Sequence, residues 1–141
     1  MAISASDNAL HLWRSKTIDA FAHAEASVDL LLRKSNTSTK TDMFSAKIDA
    51  LRKAMPNSAI AEERKIKIDQ MLVELMALLP LRNDIVHAPM IIERVGEGSF
   101  ATFANPNFQC NYSIYKRVLP APRFQALATK VAQVAKSLEV S

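Results

Sequence analysis

The stretch "NSAIAEERKIKIDQMLVELMALL", residues 57–79, constrains the fold more than any other part of the chain. Ile68, Leu72, Leu75 and Leu79 recur every three or four positions, the spacing that lines side chains along one face of an α-helix. Met71, Met76 and Leu78 widen that face. A helix this apolar has to be covered, so it belongs centrally among other helices. Asn57 or Ser58 can cap its start, and Glu62 and Glu63 suit the positive end of its dipole.

Three more segments repeat the pattern. Leu10, Trp13, Thr17, Phe21, Ala24, Val28 and Leu31 place one helix over residues 7–34, with Ser6 or Asp7 as its cap. "KSNTSTKTD" then ends it, because Ser, Thr and Asn bond to their own backbone. Phe44, Ile48, Leu51 and Met55 define a helix over 42–55, capped by Thr41 or Asp42 and followed by Pro56. Phe124, Leu127, Val131, Val134 and Leu138 define the last one, after "PAP" at 120–122. Only two glycines occur in 141 residues, too few for a sandwich of many tight turns.

Residues 90–118 change character. "MIIERV", "SFATFA" and "FQCNYSIY" are rich in β-branched and aromatic residues, and "GEG" and "NPN" punctuate them. Phe108, Cys110, Tyr112 and Ile114 alternate with polar residues, the two-residue period of a half-buried strand, so the segment reads as a β-hairpin, with room for a third strand. The expectation is one domain over residues 1–141: mainly α, an up-and-down four-helix bundle with a small β-hairpin insertion before the last helix.

Composition bounds the function. A single cysteine excludes an internal disulfide, and no cysteine–histidine cluster suggests a metal site. The N-terminus "MAISASDNALHLW" lacks a basic stretch followed by an apolar run, and "MLVELMALLPL" is too short to span a bilayer. A cytoplasmic chain with no membrane partner is therefore expected. A net charge of +4 permits an anionic partner without demanding one.

The chemistry concentrates in "LLPLRNDIVHAP", residues 78–89. Pro80 inside a helix removes a hydrogen bond and crowds the carbonyl of Met76, so either a new helix starts there or, the favoured expectation, the helix kinks. Leu81, Ile85 and Val86 continue the apolar stripe, and the helix should stop by Ala88, ahead of Pro89. Asn83 and His87 lie four apart and share a face, with Arg82 about 100° round the axis. Arginine clamps a phosphate in bidentate fashion, asparagine offers a donor and an acceptor, and histidine can take or give a proton at neutral pH. That set suits RNA cleavage without a metal or other cofactor, because RNA carries its own nucleophile in the 2′-hydroxyl.

"RNDIVH", an arginine, a polar residue, three more and a histidine near the end of a bundle helix, resembles the signature of HEPN domains. The helical order around it resembles that family as well, and the β segment is extra. The resemblance implies an endoribonuclease that works as a homodimer, with two such motifs facing each other across the two-fold axis. It implies RNA as substrate and a toxin–antitoxin or phage-defence role, with a nucleotidyltransferase-like antitoxin as partner. On this basis Arg82 and His87 are catalytic and Asn83 orients them.

Other assignments compete with these. Arg82 and His87, with Asn83 and Asp84, could simply form a polar cluster that fixes a helix end, in a non-catalytic module that binds a protein or nucleotide. Glu25, at the edge of the first helix's buried face, could aim Arg82 or pair with a lysine; Asp29 could serve in its place. Asp84 is expected to be solvated or lysine-paired, and His11 and His23 to lie on the surface. "RKIK" at 64–67, with Arg52 and Lys53, could meet RNA phosphates or form a solvated face. Lys116 and Arg117, with Tyr112 and Tyr115 beside them, could bind bases, or the tyrosines could pack on the bundle.

Overall fold

The computed structural model describes residues 5–110 and 113–139, and the side chains of 7–104 and 116–139 among them. Seven elements follow in order: α1 Ala5–Lys34, α2 Phe44–Lys53, α3 Glu62–His87, β1 Met90–Val95, β2 Gly98–Cys110, β3 Ser113–Pro120 and α4 Ala121–Glu139. The described chain is mainly helical, with one antiparallel sheet in the order β1-β2-β3. It falls into two compact units: residues 1–19 with 80–130, and residues 20–79 with 131–141.

The second unit holds an extensive hydrophobic core. Phe21, Ala24, Val28 and Leu31 of α1 meet Phe44, Ile48 and Leu51 of α2, the Ile68–Leu72–Leu75–Leu79 stripe of α3, and Val131, Val134 and Leu138 of α4. Met71, Met76 and Leu78 pack against its edge. α1 ends on Asn36, whose φ of 54° is left-handed. The Asn36 N–H reaches Arg33 O at 3.1 Å and the Thr37 N–H reaches Leu32 O at 3.0 Å. Two otherwise orphaned carbonyls are satisfied by this arrangement, a Schellman motif.

Helix starts depart from the sequence expectation. Asn57 does not open α3: its Oδ1 accepts from the N–H groups of Ala59 and Ile60, both at 2.9 Å, which closes a separate turn before the helix begins at Glu62. Met43, with no side-chain cap, precedes α2, so Thr41 and Asp42 lie upstream of the boundary. Met55, expected in the α2 stripe, follows the helix and is 78% exposed. Asp7 lies within the first turn of α1 and pairs with Arg94 of β1 instead of capping; the Ser6 side chain lies outside the described residues. α3 runs unbroken through Pro80 to His87.

The first unit contains the whole sheet, a three-stranded meander: the expected hairpin together with the third strand that the sequence left open. Gly96, at φ +62°, and Glu97 form the two-residue turn between Val95 and Gly98, which pair across it. A positive φ at the first central residue alone is the II′ hairpin pattern, which glycine adopts without strain. "NPN" does not end a strand. β2 runs through it, and the register to β3 shifts between Asn105 and Gln109. The side chains of Phe108, Cys110, Tyr112, Ile114 and Tyr115, for which alternation or base contact was expected, lie outside the described ones.

One row of the sheet faces the helices of this unit. Phe103 pairs with Met90 on one side and Arg117 on the other. Its ring meets Phe124 of α4 edge-on at 6.0 Å and 74°. Leu10, Leu81, Ile85, Ala101 and Leu119 are buried with them.

Candidate functional site

The last turns of α3 lie wholly in the first unit, and their two sides differ. Leu81, Asp84, Ile85 and Ala88 are buried, whereas Asn83, Val86 and His87 are exposed and Arg82 is half-buried. The structure therefore places the three candidate residues on or beside one open face of a continuous helix. One Arg82 Nη is 3.5 Å from the Asn83 Oδ1, a long contact between neighbours.

Two arginines from other elements grip the opposite side. Arg14 of α1 donates to the carbonyl oxygen of Ile85 from Nε at 3.2 Å and from Nη2 at 3.0 Å, and to that of Ala88 at 3.2 Å. These are C-terminal carbonyls without donors inside the helix, and a cation at this end also suits the dipole. The same guanidinium lies 6.0 Å from the centroid of Phe103. Arg117 of β3 donates through Nε to Asp84 Oδ2 at 2.7 Å, with the Asp84 side chain 6% exposed. Asp84 is thus not solvated: it is a buried carboxylate matched by an arginine.

Sequence reasoning missed both anchors, although each left a trace. Arg14 sits four residues after Leu10, which is fully buried, and so on the inward side of α1. Arg117 lies two residues before buried Leu119, and so on the same side of its strand.

Glu25 belongs to the second unit, where its carboxylate meets Lys47 at 3.3 Å; Asp29 meets the same ammonium at 3.1 Å. The lysine-pairing alternative describes both acids. The Asp29 hydrogen bond, reinforced by Glu25, holds Lys47 protonated above the ordinary lysine value of 10.5, against the opposing effect of burial.

The "RKIK" stretch splits between roles. Arg64 donates to the Ser137 and Leu138 carbonyls at 3.0 and 3.4 Å, closing the end of α4. Lys65 is buried and donates to the Arg52 carbonyl and Asp69, both at 3.0 Å. Only Ile66 and Lys67 of the four face solvent. His11 and His23 are exposed, as expected. Trp13 is half-buried, with the Lys16 ammonium 5.2 Å from its ring centroid.

Among the described residues, no group of three or more His, Cys, Asp or Glu is placed to hold a metal ion. No helix among them is long and apolar enough to cross a membrane. The geometry defines a mainly helical chain that presents an arginine, an asparagine and a histidine on the open side of a clamped helix end. Comparison with family models, curated proteins and solved structures finds no match to the chain.

Proposed function

We propose that this chain is a HEPN-type endoribonuclease: an up-and-down four-helix bundle in which the β segment is an addition, acting in the cytoplasm as a homodimer. The observation that carries the proposal is the solvent-facing placement of Asn83 and His87, with half-buried Arg82 beside them, on a helix end whose far side is tied down. RNA is the substrate, and a nucleotidyltransferase-like antitoxin is the partner that fits a toxin or phage-defence role.

The chemistry uses the substrate's own 2′-hydroxyl. The imidazole of His87 takes its proton as the 2′-oxygen bonds to phosphorus. The P–O5′ bond breaks, and the leaving oxygen collects a proton from the second copy's protonated imidazole or from water. Arg82 stabilises the charge on the phosphoryl oxygens, and Asn83 orients the pair. The products are a 2′,3′-cyclic phosphate and a 5′-hydroxyl.

The test is cleavage of total RNA by wild type, His87→Ala and Arg82→Ala, each shown to be folded. Loss of His87 should slow cleavage by ~10²-fold or more. Equal rates for all three proteins sink the assignment, and a folded wild type that cuts nothing points to a non-catalytic module binding a protein or nucleotide.

A further inference from the structure

Asp84 sits next to Asn83 and three residues before His87, on the inward side of the same turn. A carboxylate this deeply buried requires a cation, and Arg117 supplies one through a charge-assisted bond of 2.7 Å. Arg117 in turn stands on β3 opposite Phe103, the residue wedged against Phe124 of α4. The guanidinium is therefore held by a sheet rather than by a loop.

The two anchors restrain different movements. Arg14 grips carbonyl oxygens, which lie close to the helix axis and point along it, so it resists lifting of the turn. Asp84 is a side chain, with the lever arm needed to set rotation about that axis. Helical side chains reach about 5–6 Å from the axis, so a rotation of about 10° carries the His87 imidazole through roughly 1 Å. A displacement of about 1 Å can cost on the order of 10²-fold in rate.

We propose that Arg117 is a positioning residue for the Arg82–Asn83–His87 face, setting through Asp84 the rotation of the last turn of α3. The proposal rests on that face being the working one. It also gives the β segment, extra to a helical bundle, a part in the site.

The experiment compares wild type, Arg117→Gln, Arg117→Lys and the Arg117→Gln/Asp84→Asn pair, each confirmed as folded, in RNA cleavage and in amide hydrogen exchange. Arg117→Gln and Arg117→Lys should lower kcat about tenfold, with KM for RNA within about twofold. The double variant restores a neutral hydrogen-bonded pair and should recover kcat to within about threefold. The Ala88 amide, which donates to the Asp84 carbonyl at 2.9 Å, should exchange faster in the single variants, while Leu72 and Leu75 amides stay as in wild type. Unchanged kcat together with unchanged Ala88 exchange overturns the proposal. A wild type that cleaves no RNA removes the endoribonuclease assignment alone. The exchange data then decide: faster exchange at Ala88 supports Arg117 as the residue that sets the turn, and equal exchange rejects it.

Discussion

Arg14 and Ile85, 71 residues apart in sequence, are joined by two hydrogen bonds from one guanidinium to one carbonyl oxygen, at 3.2 and 3.0 Å. A third bond reaches Ala88 at 3.2 Å. Arginine suits the task because its planar fork presents several donors at fixed angles. Replacing it with alanine leaves those carbonyls to water and removes the guanidinium that lies over Phe103. Arg14→Ala should cost about 2 kcal/mol, within the range for hydrogen bonds to charged groups, and Arg14→Lys should recover only part of it. Urea unfolding checks this: a midpoint equal to wild type would show that the clamp contributes nothing.

Lys47 gives the fold an alkaline weakness. Asp29 and then Glu25 hold its proton in the folded state, so its pKa is raised above 10.5. The folded chain binds that proton more tightly than the unfolded one. The stabilisation is therefore complete below pH 10.5 and is lost as pH climbs through the higher folded value. Because the acids are 28% and 35% exposed, solvent screens the cluster and its worth is about 1 kcal/mol. Lys47→Met should be less stable than wild type at pH 8, and the gap should narrow above pH ~10.5. A gap that is constant across that range contradicts the assignment.

Pro80 is exposed and lies inside α3. It has no N–H to donate to the Met76 carbonyl, and proline in a helix interior is about 3 kcal/mol less favourable than alanine. Pro80→Ala should raise stability by about 1–3 kcal/mol, the lower end reflecting the freer unfolded chain. Thermal unfolding decides it, and a lower midpoint would mean that the ring makes packing contacts worth more than the lost bond.

Leu72 is fully buried in the core of the second unit. Leu72→Ala should cost about 2–5 kcal/mol by lost burial and cavity formation. Val73, its neighbour, is 52% exposed, and Val73→Ala should change stability by no more than about 0.5 kcal/mol. The difference between these two unfolding free energies tests the assigned face of α3 directly.

The helices were legible because their signal is local and repeated. The Ile68–Leu72–Leu75–Leu79 stripe is buried at each of its positions. Boundaries were less legible, because side chains that can cap a helix can also close a turn, as Asn57 does before α3. The strand through "NPN" was missed because register is fixed by pairing with β3 and not by the residues themselves. At the candidate site, the spacing of Asn83 and His87 followed from helix geometry alone. The partners behind them did not: Arg14 and Arg117 lie 71 and 33 residues from the positions they hold, and no local pattern joins such pairs. Glu25 was singled out for its place on α1, yet its partner Lys47 comes from α2.

The anchors of α3 also set an order of events during synthesis. Arg14 emerges from the ribosome first, the helix end it grips follows about seventy residues later, and Arg117 comes later still. A nascent chain that has made "RNDIVH" but not yet β3 holds Asp84 without the Arg117 guanidinium, and a turn gripped by Arg14 before the sheet can reach it. Translation at ~5–20 residues per second gives that interval a length of seconds. If the open face of α3 is a nuclease, a chain still on the ribosome carries its reactive residues before it can aim them.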